Sequence, residues 1–259
     1  MLFRSKQTVP GHVMITGASS GLGAALAQYY AERGCQLSLS GRNKSRLDRI
    51  AQSCRDKGAI VEATPLDVCD REECEDWVRK ADDWKPLDLM IANAGISAGT
   101  GNGGETEEQT RQILETNCTG LINNVMPVLE RMKSRDKGQI ALMSSLAAFR
   151  GFPGAPAYCG SKAMVRVWGE ALRGELAPRG LAVNVICPGY VQTPMTEVND
   201  FPMPFLMSAE KAAKIMARGL ARNRARIAFP LPTYFAAWLL GALPVGLTDS
   251  LLARLPRKA

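Results

Sequence analysis

The feature that most constrains the fold is a regular alternation of short apolar runs and amphipathic stretches over the N-terminal two thirds of the 259-residue chain. Buried strands are predicted for the apolar runs at residues 13–16, 36–40, 60–66, 87–92, 139–144 and 181–187. Helices are predicted for the stretches at residues 22–33, 44–57, 71–83, 107–134 and 157–177. Strands and helices that alternate at this spacing imply right-handed crossovers and a parallel sheet. We therefore expect an α/β fold with a doubly wound, Rossmann-like sheet and helices on both faces.

After residue 188 the pattern changes, although no linker or repeat separates a second domain. The single domain, residues 1–259, is expected to include an N-terminal tail at 1–9, a proline-broken substrate loop at 189–208 and an apolar C-terminal extension at 230–259. Ser208 predicts the N-cap of a helix that runs to about residue 223. Residues 226–229 predict a last strand.

Composition excludes several kinds of chemistry. His12 is the only histidine, so a Ser-His-Asp hydrolase, a His-ligated zinc site or a histidine general base would have to use it. It stands at the start of the first predicted strand and is interpreted as an edge histidine. The seven cysteines include no CxxC pair, which favours reduced thiols in a cytosol-like compartment and no metal site. Chemistry must therefore use Tyr, Lys, Ser, Asp, Glu, Cys or a cofactor.

A glycine-rich segment, TGASSGLG at residues 16–23, follows the first predicted strand and opens the first predicted helix. Glycines let the backbone approach a pyrophosphate, and the helix N-terminus supplies free N–H groups and a partial positive charge. The spacing is GxxxGxG rather than the common GxGxxG. A simple tight turn is the alternative, but the strand before it and the helix after it favour a nucleotide-binding loop.

The end of the second predicted strand bears on the choice of dinucleotide. An acidic residue here would bind the adenosine ribose 2′-hydroxyl and select NAD, but the sequence reads Ser40-Gly41-Arg42-Asn43. Arg42 offers a planar set of donors to a 2′-phosphate, unless it is only a solvated surface arginine. The missing carboxylate favours NADP(H) over NAD(H) whatever Arg42 does.

Tyr158 and Lys162 are four residues apart in a predicted helix, so they share one face. An ammonium within about 5 Å, at an effective dielectric of ~20, favours the phenolate by roughly 3 kcal/mol. That corresponds to about two units of the phenol pKa, less whatever burial takes back. The pair predicts proton transfer at neutral pH, although this spacing alone also occurs by chance.

Further motifs appear in a fixed order. Asn93-Ala94-Gly95 follows the fourth strand, and Asn117 lies in a long predicted helix. Ser144-Ser145 comes before Tyr158, and Pro188-Gly189 and Thr193-Pro194 come after it. With the glycine-rich segment and the Tyr–Lys pair, this ordered set resembles the short-chain dehydrogenase/reductase family over about residues 10–223.

The resemblance implies a set of catalytic residues. Tyr158 would donate a proton to a carbonyl or accept one from an alcohol, and Lys162 would lower the pKa of that phenol and hold the nicotinamide ribose. Ser145, rather than Ser144, would bind the substrate oxygen. Asn117 would anchor a water chain that leads to Lys162.

The resemblance also implies a cofactor site and an apolar substrate site. Cofactor contacts are implied for Gly17, Ser19, Ser20, Gly21, Leu22, Gly23, Arg42, Asn43, Asp67, Val68, Asn93, Ala94, Gly95, Tyr158, Lys162, Pro188, Gly189, Val191 and Thr193. Substrate contacts are expected for Ser145 and for three apolar side chains around the expected entrance, those of Met195, Phe201 and Phe205.

We therefore expect an NADP(H)-dependent oxidoreductase that transfers a hydride between nicotinamide and the carbonyl or secondary alcohol of an apolar substrate, with Tyr158 as general acid/base. One alternative is a reductase of ketoacyl thioesters carried by a carrier protein or coenzyme A. Another is a catalytically idle NADP(H)-sensing regulator, which the intact Asn–Ser–Tyr–Lys set argues against. No nucleic-acid partner is expected.

The C-terminal extension raises the question of partners. The net charge is +7, and the 22 residues 227–248 carry no charge. Prolines leave only residues 233–243 as unbroken helix, about 17 Å long at 1.5 Å per residue, too short for a ~30 Å bilayer core. The helix would be a lid, a subunit interface or a membrane-surface anchor flanked by arginines. We expect a cytoplasmic or membrane-peripheral homodimer rather than a tetramer, and no apolar signal sequence opens the chain.

Overall fold

A parallel sheet of seven strands forms the centre of the computed structural model, which describes residues 9–97 and 104–252. The strands are β1 (His12–Ile15), β2 (Gln36–Gly41), β3 (Val61–Pro65), β4 (Leu89–Ala92), β5 (Gln139–Met143), β6 (Ala182–Pro188) and β7 (Arg226–Phe229). They are hydrogen-bonded in the order β3-β2-β1-β4-β5-β6-β7, and every neighbouring pair is parallel. The predicted doubly wound sheet is confirmed.

Helices cover both faces of this sheet. Within the described residues they are α1 (Gly21–Ala31), α2 (Lys44–Arg55), α3 (Arg71–Trp84), α4 (Glu107–Leu114), α5 (Gly120–Ser134), α6 (Pro156–Leu176), α7 (Pro194–Glu197), α8 (Ala209–Ala221), α9 (Leu231–Ala242) and α10 (Val245–Leu252). Helices α1, α2 and α8 pack on one face, and α3, α5 and α6 pack on the other.

Two apolar cores result, because successive side chains of a strand point to opposite faces. In β1, Val13 and Ile15 belong to the core beneath α1, α2 and α8, whereas Met14 belongs to the core beneath α3, α5 and α6. All three side chains are fully buried. Such strands read as continuous apolar runs, which is why the sequence pattern identified them.

The strand order reverses direction at β1, which lies between β2 and β4. The chain leaves β1 toward one side of the sheet and leaves β4 toward the other, so a crevice opens between their carboxyl ends. Ligands of open parallel sheets bind at such a switch point. The fold therefore places the glycine-rich turn after β1 beside the segment that follows β4.

The long helix predicted at residues 107–134 is interrupted in the structure. Helices α4 and α5 are separated by a π-helical turn, Glu115–Thr119. A π-helical turn inserts one extra residue in a helix and shifts the face on which the following side chains lie, and such turns are frequent at functional sites. Asn117 lies in this turn. The apolar periodicity of the sequence does not show a single inserted residue.

His12 is not the edge histidine that the sequence suggested, because it lies in the central strand β1 and is fully buried. Its Nε2 is 2.9 Å from Ser38 Oγ, and its Nδ1 is 2.7 Å from the Lys85 carbonyl oxygen. Burial lowers its pKa below the usual value. It stands at the opposite end of β1 from the glycine-rich turn.

The C-terminal extension forms α9 and α10, and only α9 had been predicted. Within α9, Ala237 is buried. It packs with Tyr234 near Leu146 and Phe149, in the segment that follows β5. None of the described helices is long and apolar enough to cross a membrane. The predicted tail at 1–9 lies almost entirely outside the described residues, as does the end of the extension, 253–259.

Candidate active site

The glycine-rich turn forms a cradle that has no room for side chains. A Cβ atom on Gly23 would overlap the carbonyl oxygen of Gly17 and lie 2.6 Å from Asn93 Nδ2. Gly17 has a φ of +66°, and a Cβ there would lie 2.9 Å from the Cα of Ala94. Backbone from the turn after β1 and backbone from the segment after β4 therefore touch directly.

Asn93 fastens the two segments together. Its Nδ2 donates to the carbonyl oxygens of Thr16 at 2.9 Å and Gly17 at 3.2 Å. In return, Thr16 Oγ1 accepts from the backbone N–H groups of Asn93 and Ala94, both at 3.0 Å. The side chain of Asn93 is thus used in holding the cradle, and its neighbours Ala94 and Gly95 line the adjacent crevice.

Helix α1 begins at the cradle. Its N-cap, Ser20, makes no side-chain capping bond within the described part of the chain, and the first turn contains no acidic residue. The first N–H groups of a helix have no partners within that helix and carry a partial positive charge. Thr193 covers this end, since a Cβ on Gly21 would lie 3.1 Å from its Cγ2. The side chain of Leu22 packs toward the apolar core.

A cavity of about 530 Å³ extends from the cradle along the carboxyl edge of the sheet. Eight residues predicted to contact a cofactor line it, namely Gly17, Ser19, Ser20, Arg42, Asn43, Val68, Ala94 and Gly95. Five others that the sequence did not single out also line it, namely Gly41, Arg46, Leu66, Ile96 and Thr116. The predicted residues after β1, β2 and β4 are therefore brought together.

Two arginines stand at the far side of this cavity. Arg42 follows β2, and Arg46 lies in the first turn of α2, and both are exposed. Asn43 is the N-cap of α2, with its Oδ1 accepting from the backbone N–H of Arg46 at 2.9 Å. Arg46 follows Arg42 by four residues, but Arg42 lies before the helix, so the approach of Arg46 to the cavity depends on the direction of α2, for which the sequence pattern has no signal.

The segment after β3 is held by turn contacts. Asp67 is exposed, and its Oδ1 accepts from the backbone N–H of Cys69 at 3.1 Å. Val68 is buried, and its carbonyl oxygen accepts from Asn123 Nδ2 at 3.0 Å. Val68, unlike Asp67, lines the cavity.

Tyr158 and Lys162 lie one turn apart on α6. Lys162 Nζ donates to the Met143 carbonyl oxygen at 3.0 Å and is 5.8 Å from the centre of the Tyr158 ring. Burial lowers the pKa of Lys162 to about 8. Burial also raises the pKa of Tyr158, and a hydrogen bond with the Ser145 side chain lowers it by a smaller amount. The phenol is therefore protonated at neutral pH.

Burial outweighs the lowering of the phenol pKa that was expected from Lys162. The Lys162 ammonium lies 5.8 Å from the centre of the Tyr158 ring and donates to a backbone carbonyl. Removing the phenolate from water costs more than that charge returns, because burial disfavours the ionised form of a tyrosine.

The two serines after β5 have different surroundings. Ser144 is buried, and its Oγ donates to the Lys162 carbonyl oxygen at 2.7 Å, so it ties β5 to α6. Ser145 Oγ accepts from the backbone N–H of Ala147 at 3.1 Å. Of the two hydroxyl groups, that of Ser145 interacts with the phenol of Tyr158.

Asn117 joins three parts of the site. Its Oδ1 accepts from the Ile96 N–H at 2.8 Å, and its Nδ2 donates to the Ile96 carbonyl oxygen and to Ser161 Oγ, both at 3.0 Å. A Cβ on Gly95 would lie 3.0 Å from Asn117 Oδ1 and 3.2 Å from Lys162 Nζ. The asparagine amide and the lysine ammonium therefore converge on Gly95.

The loop after β6 borders the same edge of the sheet. Gly189 follows Pro188, the last residue of β6, and donates its N–H to the Phe229 carbonyl oxygen at 2.8 Å. Val191 is buried and forms a bridge with Met207, which closes the loop. Of the predicted substrate residues, Met195 and Phe205 are exposed, whereas Phe201 packs edge-on against Tyr190 with ring centres 6.1 Å apart.

The sequence model of the family described as short chain dehydrogenase matches residues 11–201. This match covers the cradle, the Tyr–Lys pair and the start of the loop after β6. The chain belongs to the short-chain dehydrogenase/reductase family. It is therefore an NAD(P)-dependent oxidoreductase that acts on small molecules.

Individual members of the family are similar over most of the chain. An uncharacterized oxidoreductase of Myxococcus xanthus is 37% identical over 243 residues, which are 93% of this chain and 96% of that protein. A 3-oxoacyl-(acyl-carrier-protein) reductase of Rickettsia conorii is 30% identical over 184 residues, 71% of this chain and 74% of that protein. A solved short-chain dehydrogenase from Sphingobium yanoikuyae in complex with NADPH has a TM-score of 0.78 at 28% identity, covering 95% of this chain and 96% of that one.

Proposed function

We propose that this short-chain dehydrogenase/reductase uses NADPH to reduce the carbonyl group of an apolar substrate, with Tyr158 as the proton donor. The observation that carries the proposal is the position of the Tyr158 phenol, which is half-buried and hydrogen-bonded to the Ser145 side chain. It lies beside the Ser145 hydroxyl, with Lys162 one helical turn away. The bound dinucleotide supplies the hydride to the carbonyl carbon.

The cradle is proposed to hold the pyrophosphate. Glycines at positions 17, 21 and 23 let phosphate oxygens approach the backbone, and the N–H groups at the start of α1, from Gly21, Leu22 and Gly23, donate to them. Ser19 and Ser20 line the same cavity and add hydroxyl donors. Asn93 keeps the cradle rigid, so the site requires little reorganisation when the cofactor binds.

The other cofactor contacts follow the carboxyl edge of the sheet. We assign Asp67 and Val68 to the adenine, Ala94 and Gly95 to the ribose side of the crevice, and the segment from Pro188 through Gly189 and Val191 to Thr193 to the carboxamide. Thr193 already lies against the start of α1, which supports this placement.

The preference for NADP(H) is proposed to come from Arg42 together with Arg46. Both arginines line the cavity, and none of the described residues that line it is acidic. A charge-assisted contact with a 2′-phosphate is worth about 1.5–3 kcal/mol. Asn43 contributes by capping α2, which fixes the turn that carries Arg46.

Proton transfer is assigned to four residues. The Ser145 hydroxyl holds the substrate oxygen next to the Tyr158 hydroxyl, which gives its proton as negative charge develops on that oxygen. Lys162, with a pKa of about 8, holds the nicotinamide ribose and supports the ionised tyrosine that remains. Asn117 keeps the segment after β4 in place, and we propose that it anchors the water through which Tyr158 regains a proton.

A second candidate function is the reduction of ketoacyl thioesters, because the Rickettsia conorii relative is named for that reaction. The two candidates differ in what the surface must recognise. A carrier-dependent enzyme loses most of its activity when the thioester is cut down to a short free fragment, whereas an enzyme for free apolar ketones does not.

The test is a panel of cyclic and aliphatic ketones and ketoacyl thioesters, each offered with NADPH and with NADH while the nicotinamide absorbance is followed. We expect turnover of apolar ketones with NADPH and at least about tenfold weaker use of NADH. Activity with carrier-bound thioesters alone would support the second candidate. No oxidation of NADPH by any member of the panel would contradict both candidates.

We also propose that the enzyme is a cytoplasmic, single-domain protein and that Met195, Phe201 and Phe205 line its substrate loop.

We further propose that the enzyme is a homodimer. Exposed apolar residues on two helices of the same face of the sheet, Met126 of α5 and Val167 of α6, support a subunit contact through that face. Sedimentation velocity of the wild type and of Val167→Glu tests it. We expect a dimer for the first protein and a shift toward monomer for the second.

A further inference from the structure

Helices α9 and α10 expose large apolar side chains, and these are here together called the C-terminal apolar surface. Seven large side chains of this surface are 40–72% exposed, namely those of Leu231, Phe235, Trp238, Leu239, Leu243, Val245 and Leu247. Exposed apolar patches on this scale mark sites where a protein meets another apolar surface. Ala237 and Tyr234 pack α9 against the rest of the protein, so the exposed side chains of α9 are not the ones that hold it in place.

The polar side chains of the two helices have partners inside the protein. Tyr234 Oη accepts from Arg226 at 3.1 Å, and Thr233 Oγ1 donates to the Pro230 carbonyl oxygen at 3.0 Å. Thr248 is buried, and its Oγ1 donates to the Val245 carbonyl oxygen at 3.0 Å. Between residues 231 and 247, the indole N–H of Trp238 is thus the single polar group on an exposed side chain.

This chemistry distinguishes a lipid surface from a protein partner. Protein interfaces have a polar rim and about one hydrogen bond per 100–200 Å². Residues 231–247, whose only exposed polar side-chain group is one indole, offer almost nothing for such a rim. A tryptophan beside leucine and phenylalanine suits the boundary between lipid headgroups and acyl chains, where the ring is buried and its N–H meets water.

The size of the surface excludes a spanning arrangement. Helix α9 has 12 residues, about 18 Å at 1.5 Å per residue, and Pro244 separates it from α10. A bilayer core of about 30 Å is too thick for it. An arrangement in the plane of the interface is left, with the exposed apolar side chains and the Trp238 ring at the headgroup boundary.

Two arginines precede β7 in the sequence, and the second stands two residues before Arg226, whose guanidinium contacts Tyr234 of α9. Arg222 and Arg224, just before β7, are exposed, and neither is paired with a carboxylate of the described chain. Asp249 is the single acidic residue of α9 and α10, and it is exposed but paired with Arg150 at 2.7 Å. Residues 253–259, beyond the described part, contain two arginines and a lysine and no acidic residue. Anionic lipid headgroups complement this arrangement.

Helix α9 packs against the segment that follows Ser145. Phe149, four residues after Ser145, packs edge-on against Tyr234 with ring centres 5.5 Å apart. The guanidinium of Arg226 lies 5.2 Å from the centre of the Phe149 ring. At the other end, a Cβ on Gly189 would lie 3.1 Å from Pro230 Cδ, so α9 begins beside the substrate loop. A bilayer against α9 would therefore lie close to the entrance of the site.

We propose that the C-terminal apolar surface binds in the plane of an anionic lipid bilayer, with Phe235 and Trp238 at the headgroup boundary. The proposal does not depend on the proposed function, because its readouts are binding and oligomeric state rather than turnover.

The first test is co-sedimentation with vesicles of phosphatidylcholine mixed with phosphatidylglycerol, at low and high salt. We expect the wild-type protein to sediment at low salt with the mixed vesicles and to remain in solution with pure phosphatidylcholine. The double variant Phe235→Ser/Trp238→Ser should remain in solution with both. Ile60→Ser, which removes an equally exposed apolar side chain at another edge of the protein, should behave like the wild type. Wild-type protein that stays in solution at low salt would overturn the proposal.

The second test concerns the arginines. Arg222→Gln and Arg224→Gln should each weaken the affinity for mixed vesicles about fivefold, since an arginine near an anionic surface contributes about that factor. The control is Arg71→Gln/Arg111→Gln, which removes the same charge from α3 and α4. An equal loss in both pairs would mean that net charge alone attracts the protein, which would contradict a specific surface.

A third measurement separates the bilayer from a second copy of the chain. Brominated lipids should quench Trp238, and Trp238→Phe should keep vesicle binding while losing that part of the quenching. Sedimentation velocity without lipid should give the same oligomeric state for the wild type and for Phe235→Ser/Trp238→Ser. A shift to a smaller species in that variant, with NADPH binding retained, would show that the surface is a protein interface and would overturn the proposal.

Discussion

The cradle and the C-terminal apolar surface differ in how closely the rest of the chain packs around them. In the cradle, a methyl group on Gly23 has no space, and Asn93 joins the two backbone segments through its amide. On the C-terminal surface, Leu231 and Leu247 are each 72% exposed, and a Cβ on Gly246 would meet nothing within 4 Å. The first region is specified by contacts within the chain. The second packs on the chain through a few side chains, such as Tyr234 and Ala237, and leaves its large apolar side chains exposed.

The largest expected effect on NADPH affinity tests this contrast by adding a single methyl group in each region. Gly23→Ala should cost about 3 kcal/mol through overpacking, equivalent to a factor of about 100 in NADPH affinity if the strain falls on the cradle. Gly246→Ala, in α10, should leave NADPH affinity unchanged and stabilise that helix slightly. Titration of NADPH fluorescence checks both variants. Equal affinities for Gly23→Ala and the wild type would show that the cradle does not bind the cofactor.

A smaller effect is expected at the far side of the cavity. Arg42→Asp removes a donor for a 2′-phosphate and adds a repulsive carboxylate, so the preference for NADPH over NADH should reverse. Arg46→Gln should lower the same preference by about tenfold. Lys44→Gln, on the exposed side of the same helix start, is the matched control and should change little. The ratio of the two dissociation constants decides, and a wild-type ratio near one would refute the assignment.

Because His12 is buried in β1, the free energy of unfolding should depend on pH. Burial lowers the pKa of His12 in the folded protein, so below about pH 6.5 the unfolded chain takes up a proton more readily than the folded one. Stability is therefore complete above that pH and is lost as the pH falls, by at most about 1.4 kcal/mol per pH unit. Urea unfolding of the wild type and of His12→Asn between pH 7 and pH 5 measures this. Identical slopes would show that His12 is not responsible.

The smallest effect is predicted for the C-terminal surface itself. Leu247→Ser should change the free energy of unfolding by less than about 0.5 kcal/mol, because its side chain packs against little. Leu37→Ala in β2, a fully buried position, should cost about 2–5 kcal/mol. Thermal and urea unfolding give both values. A large loss for Leu247→Ser would mean that the surface is part of the folded core after all.

The same contrast explains what the sequence could predict. The seven strands and the position of the cradle were predictable because buried strands are continuous apolar runs and the glycines lie between a strand and a helix. The π-helical turn at Asn117 was not, since one inserted residue leaves no periodic signal. Arg46 was missed because its approach to the cavity depends on the direction of α2. The burial of His12 depends on strand order, which a local pattern does not contain.

The C-terminal extension shows a different limit. A helix that is apolar on all sides suggests burial, and α9 is indeed a helix, yet Ala237 is its buried residue and Phe235 and Trp238 face outward. Sequence periodicity shows which side chains are apolar, but it does not show which surface buries them. The extent to which burial raises the pKa of Tyr158 likewise cannot be read from the spacing of Tyr158 and Lys162.

The most direct test of the central claim compares Tyr158→Phe with the wild type and with Tyr29→Phe, a tyrosine on α1 outside the site. Each protein is titrated with NADPH and then assayed with a ketone that the wild type reduces. The account predicts a loss of turnover of about 10²–10⁴-fold for Tyr158→Phe, with NADPH affinity unchanged within about twofold, and no loss for Tyr29→Phe. Turnover of Tyr158→Phe near the wild-type level, with NADPH bound, would contradict the claim that Tyr158 donates the proton.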